Sequence, residues 1–115
     1  MPWSDKAKRL ALQAAFGGEG LRVGLITEDG NEEADRAYRR QPVEMGMNGA
    51  DESTSTAEVR FAAYSSDRQL AVTHWALYDH LGEERVREAL QGEPVTPREG
   101  YEPYFPAGSI RVRLP

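Results

Sequence analysis

The sequence contains no cysteine. That absence removes disulfides, thiolate metal sites and cysteine nucleophiles together. Histidine occurs only at His74 and His80, so imidazole chemistry has two positions to work with. Lysine is confined to Lys6 and Lys8 and asparagine to Asn31 and Asn48, a bias that a GC-rich or heat-adapted source produces. No continuous apolar stretch approaches the roughly 18 to 20 residues that cross a bilayer. The opening Met1-Pro2-Trp3-Ser4-Asp5-Lys6 also lacks a charged segment followed by an apolar one. The expectation is a soluble chain with no membrane partner and no export signal. A formal net charge of -5 sets most of the surface against a phosphate backbone, so nucleic acid is not an expected partner. What remains is 115 residues, long enough to bury one core without crosslinks.

The residues that are present read as one helix followed by strands. Ser4 is a candidate N-cap, Asp5 favours the positive helix end, and Ala7, Leu10, Ala11 and Ala14 recur at helical spacing until Gly17 and Gly18. Leu12, Ala15 and Phe16 widen the apolar arc beyond what one flank of a small core covers. The helix therefore either packs over its own sheet or docks as an arm on a neighbour. From Leu21 the period becomes two, with Leu21, Val23 and Leu25 on one side and Arg22, Gly24 and Ile26 on the other, which predicts a strand. Glu28-Asp29-Gly30-Asn31 supplies a turn, and Asn31 to Asp35 reads as an exposed polar loop. Tyr38 to Met45 predicts a strand that Pro42 confines to an edge or bulge. Gly46 to Thr56 has small and polar residues without a period and reads as a long surface loop.

Ala57 to Ala63 alternates as an amphipathic strand that ends at Ser65-Ser66-Asp67, and Leu70 to Tyr78, apolar on nearly both faces, predicts the central strand. Glu83 to Leu90 is divided: Val86, Ala89 and Leu90 fit a helix, whereas Arg85, Arg87 and Gly92 fit a short exposed strand. Pro94, Pro97, Gly100, Pro103 and Pro106 punctuate the next section, between apolar anchors at Val95, Tyr101, Tyr104 and Phe105. Ile110, Val112 and Leu114 alternate with Arg111 and Arg113, which predicts a last strand with a wet arginine face. Short strands broken every roughly 8 to 12 residues predict a mainly β fold, a small antiparallel β-sandwich of Greek-key or jelly-roll type with one N-terminal α-helix. Residues 1–18 form the helical arm in this reading and 19–115 the sandwich.

No catalytic constellation emerges from the pattern. On an extended strand His74 and His80 share a face about 20 Å apart, too far to bind one metal. Asp79 could orient His80, but no nucleophile is arranged around that pair. Asp29, Glu32, Glu33 and Asp35 do not follow the spacing of a calcium loop, so they read as solvated. Glu83, Glu84 and Glu88 have Arg85 and Arg87 as nearer partners than one another across a cleft. Gly17-Gly18-Glu19-Gly20 follows a helix and precedes a strand, the reverse of the order that aims amides at phosphate. The expectation is no enzyme, no metal and no cofactor. Trp75, Tyr78, Tyr101, Tyr104 and Phe105 could stack on sugar rings, with core or subunit-interface packing as the favoured use.

Five segments in order carry a family resemblance: Leu21–Thr27, Tyr38–Val43, Ala57–Phe61, Val72–Asp79 and Phe105–Ile110. Together they resemble a family of small bacteriophage proteins described as tail fibre or virion structural proteins. In that family the fourth segment reads Val-Thr-His-aromatic-x-apolar-aromatic-Asp, and the closing segment holds a Pro-Ala-Gly-Ala-like turn into the last strand. Two positions depart from it: Asp67 and Arg68 stand where a tryptophan is expected, and Gly82-Glu83-Glu84-Arg85 replaces a glycine-rich stretch. The resemblance implies a compact sandwich built into a virion after synthesis in the host cytoplasm, as a tail, tail-tip or neck component or a head decoration subunit. Its partners would be other virion proteins and copies of itself, as a homo-oligomer. The assembly interface would draw on Trp3, Leu10, Leu12, Phe16, Tyr101, Tyr104 and Phe105. The alternative reading is a receptor- or carbohydrate-binding module at the phage tail.

Overall fold

A computed structural model of the chain describes residues 4–16, 20–49 and 51–113, and its first element is the expected helix. Helix α1 spans Asp5–Phe16. Ser4 caps it: its Oγ accepts from the Ala7 amide at 3.1 Å, and its carbonyl accepts from the Lys8 amide at 2.9 Å. The face that docks differs from the expected one. Leu12 and Phe16, one turn apart, are buried, while Ala7, Leu10 and Ala14 face outward. The bulky i, i+4 pair removes far more apolar area from water than alanines do, and this sets the rotation of the helix on the sheet.

Among the described residues nine strands follow. β1 (Arg22–Thr27), β2 (Gln41–Pro42), β6 (Val72–Tyr78) and β7 (Glu84–Ala89) form an antiparallel sheet in the order β2-β1-β6-β7. β3 (Met45–Met47), β4 (Glu52–Ser55) and β9 (Arg111–Arg113) form a second, in the order β3-β4-β9, and β5 (Val59–Arg60) pairs with β8 (Tyr104–Phe105). With 35% strand against 11% helix the chain is mainly β, a small antiparallel sandwich with an N-terminal helix. The main apolar cluster draws on every sheet and on the helix, including Leu12, Val23, Met45, Val59, Leu77 and Val112. Leu12 and Phe16 thus complete the sandwich core from α1, which packs on β3 and β4.

The central pair is covered on both faces, as its apolar composition predicts. Val23, Leu25, Trp75 and Leu77 point into the main core, and Ile26, Ala76 and Tyr78 form a second cluster on the other side. β1 and β6 pair from Arg22 opposite Tyr78 through Leu25 opposite Trp75, with a register shift after Ile26. Pro42 occupies an edge strand, where its missing N–H breaks no ladder. The Glu83 to Leu90 segment is the edge strand β7: pairing with β6 decides against its helical propensity.

Three expectations are corrected. Tyr38 to Met45 is not one strand; the chain leaves the first sheet after Pro42 and enters the second at Met45. Gly46 to Thr56 is not a surface loop, because Met47 and Glu52 are turned back into the β3–β4 hairpin. Its buried positions are polar but bonded: the Ser55 hydroxyl accepts from the Gly108 and Ile110 amides at 3.2 and 3.3 Å, and Glu52 accepts from Asn48 and Arg113 at 2.8 and 2.6 Å. Such a strand has no apolar period to detect. Finally, Ala57 to Ala63 keeps its alternation at Val59 and Phe61, both buried, but pairs with β8 only over Val59–Arg60. The last strand buries Ile110 and Val112 and exposes Arg111 and Arg113; Leu114 lies outside the described residues.

Candidate functional site

The proline-punctuated segment is held along both of its edges. Val95 exchanges two backbone bonds with Val72, at 2.7 and 3.1 Å, and Pro97 is fully buried. On the other side the Phe61 amide bonds to the Pro103 carbonyl at 3.0 Å, and the Tyr64 amide to the Tyr101 carbonyl at 2.9 Å. Between these attachments a cleft of about 320 Å³ opens. Leu25, Val72 and Trp75 floor it, all buried, and Tyr101, Tyr104 and Phe105 line its side. Gln91 and Glu93 stand exposed at its rim.

The two tyrosines are braced from behind. Tyr101 stacks on Tyr64 with ring centroids 6.4 Å apart and an interplanar angle of 27°. The Arg60 guanidinium lies 4.6 Å from the Tyr104 ring centroid, and the Tyr104 hydroxyl donates to Glu58 at 3.0 Å. That hydrogen bond raises the Tyr104 pKa, while Arg60, and then Tyr104, hold the Glu58 carboxyl below its ordinary value. Both rings remain open, at 41% and 44% exposure. Trp75 and Tyr78 are different: each is 4% exposed, so neither offers an open face to a ligand.

The residues expected at an assembly interface do not form one surface. Tyr101 and Tyr104 are exposed at the cleft, with Phe105 half-buried beside them and edge-on to Phe61. Leu10 is 56% exposed on α1, and no helical residue lines the aromatic cleft. Leu12 and Phe16 are corrected: their apolar area is already covered by the chain's own core. Trp3 lies outside the described residues. A second groove, of about 520 Å³, runs between Ala11, Ala14 and Ala15 on the helix and His80 and Arg85 after β6. Near it Leu81 is 72% exposed, an apolar side chain that sequence periodicity did not single out.

The carboxylate beside His80 is engaged elsewhere. Asp79 does not orient His80; its carboxylate accepts from the Leu81 and Glu83 amides at 2.9 and 3.0 Å and from Arg85 at 2.8 Å, which fixes the β6–β7 turn. His74 Nδ1 lies 2.8 Å from the Thr73 hydroxyl. Among the described residues no group of three or more His, Cys, Asp or Glu side chains is placed to hold a metal ion. Glu84 pairs with Arg87 at 2.8 Å on the exposed side of β7.

The acidic segment after β1 is the largest departure from expectation. Glu33 and Asp35 are each 4% exposed, not solvated. Glu33 accepts from Tyr64 and Arg68, both at 3.0 Å, and from the Ala34 and Asp35 amides. Asp35 accepts from the Ser65 amide and hydroxyl at 3.1 and 2.9 Å and from the Ala37 amide at 2.9 Å. Glu32 takes a two-pronged bond from Arg40, at 2.8 Å each, and a 2.6 Å bond from the Tyr38 hydroxyl. Burial opposes ionisation of Glu32, but Arg40 and then Tyr38 outweigh it and hold the carboxyl below its usual range. These carboxylates clamp residues 32–40 to the rest of the fold, so their saturated bonding is structural. The run reads as wet in sequence because the tyrosine, serines and arginine that satisfy Glu33 and Asp35 are about thirty residues away.

No protein-family model matches the chain, and no curated protein sequence is significantly similar to it.

Proposed function

We propose that this domain is a structural subunit of a bacteriophage particle, a tail, tail-tip or neck component or a head decoration protein that acts through contacts with other virion proteins and with copies of itself. The observation that carries this reading is the apolar surface that the completed core leaves outside. The core already takes Leu12 and Phe16 from the helix, yet Leu10 and Leu81 project as large exposed side chains, and Ala7 and Ala14 flank Leu10 on the outer face of the helix. Single exposed leucines are ordinary, but a helix face with surplus apolar area suits repetition in a symmetric assembly. The order of the five sequence segments supports the same reading. Burial at about 25 cal/mol per Å² makes even a few hundred Å² per copy add up around a ring.

Deleting the helix is a poor test, because it would also strip Leu12 and Phe16 from the core. The discriminating variant is Leu10→Asp combined with Leu81→Asp, which alters only exposed side chains. The expected result is an unchanged thermal midpoint and reduced recovery of the chain in purified particles by quantitative mass spectrometry. Equal recovery of variant and parent chain would sink the contact surface, and absence of the parent chain from purified particles would sink the virion role itself.

A further inference from the structure

We propose that the cleft floored by Trp75 and lined by Tyr101 and Tyr104 binds a saccharide ring. This goes beyond the assembly reading and does not rest on it. Two observations converge. The cleft's size, about 320 Å³, is at the small end of pockets that hold a compact ligand and not a folded partner. Its two open tyrosines are fixed in place by Tyr64 and by Arg60 and Glu58, so their rings are ordered before a ligand arrives. Ordered aromatic faces suit the apolar C–H face of a sugar, and the hydroxyls at the sugar's edge then require polar partners.

The polar chemistry decides between a sugar and a proline-rich peptide, the other ligand that docks on aromatic clefts. A peptide of that kind presents carbonyl acceptors and needs donors from its site. This cleft has donors in its lining, the Tyr101 hydroxyl and the Trp75 indole N–H, but its rim adds acceptors that such a peptide leaves unused. Glu93 accepts only; Gln91 can do both; the Ser109 hydroxyl already donates to the Pro106 carbonyl at 2.7 Å; and Pro103 and Pro106 carry no N–H. An acceptor-rich rim beside open tyrosines matches a ligand with many hydroxyl donors.

The test is an NMR titration of the full ¹⁵N-labelled chain with the methyl glycosides of glucose, galactose, mannose, rhamnose and N-acetylglucosamine, each to about 20 mM. At least one glycoside is expected to shift the Trp75 indole and the Leu90 and Val95 amides saturably, with a dissociation constant on the order of 1 mM. Tyr104→Ala, an exposed ring whose loss leaves the core intact, is expected to weaken that binding about tenfold. Glu93→Ala, also exposed, is expected to weaken it several-fold and guards against misreading a folding defect in the first variant. Failure of all five glycosides to shift these resonances overturns the proposal. Parent-like affinity in both variants does the same, and so does a decaproline peptide that moves these resonances when no glycoside does. None of these results touches recovery in particles, so the two readings fail separately.

Discussion

Gly24 shows how closely the outer layer is fitted to the central pair. A β-carbon built there would meet the Tyr38 hydroxyl at 2.5 Å, the Tyr78 ring at 2.8 Å and a Glu32 oxygen at 2.9 Å. The Tyr38 hydroxyl and Glu32 hold each other, Arg40 bonds to Glu32 and closes over the buried Tyr78 ring at 3.5 Å, and so none is a loose side chain able to swing away. Gly24→Ala is therefore expected to destabilise the fold by about 2 kcal/mol, the range of a forced overpacking, as read from the urea midpoint. An unchanged midpoint would show that the clamp over β1 yields. Gly30 has the more familiar requirement: after its amide bonds to the Thr27 carbonyl at 2.9 Å, its φ of 84° turns the chain back so that the Asn31 carbonyl accepts from the Thr27 amide at 2.9 Å.

The helix can be interrogated side chain by side chain. Leu12→Ala removes a side chain that is 1% exposed and is expected to cost about 3 kcal/mol. Leu10→Ala, two residues away on the outward face, is expected to change stability by less than about 0.5 kcal/mol. Equal effects in thermal or chemical unfolding would mean that the docked face has been assigned wrongly. This pair also marks what the sequence could and could not reveal. Apolar period disclosed the central pair, the last strand and the existence of the helix, because each carries large side chains at regular spacing. It failed for the β3–β4 hairpin, whose inward Ser53 and Ser55 are polar, and for the Glu33 and Asp35 clamp, whose partners lie at Tyr64, Ser65 and Arg68. The aromatic half of the cleft was legible as Tyr101, Tyr104 and Phe105, whereas Gln91, Glu93 and Leu90 reach it only through the strand pairing of β7 and Val95.

For the folded domain taken together, the carboxylate clamps make stability depend on acid. Arg113, then Asn48, hold the Glu52 carboxyl below its ordinary 4.5. Burial opposes ionisation of Asp35, but the Ser65 and Ala37 amides outweigh it and hold the group below its ordinary 3.8. The Glu83 amide does the same for Asp79, against opposition from burial. Each group binds protons less readily when folded than when unfolded. Their stabilisation is fully present above the unfolded values and is lost as pH falls through the lower folded ones. The urea midpoint is expected to be level with respect to these groups from about pH 7 to about pH 5.5 and to decline below about pH 4.5. Arg113→Gln is expected to lower the midpoint at neutral pH and make the acid decline shallower, since Glu52 then titrates nearer its unfolded value. A midpoint that stays level down to about pH 3 would refute the linkage.

The sheet edges constrain how copies of this domain can be joined. One edge of the larger sheet is the two-residue β2 with Pro42, and the other is β7, which presents Glu84, Arg85, Arg87 and Glu88 to solvent. Proline denies a newcomer one of the amides it would need, and the alternating charges make an unregistered strand unwelcome. Copies crowded together are thus kept from lengthening this sheet into fibrils, and a union of copies along it must come from side chains meeting face to face.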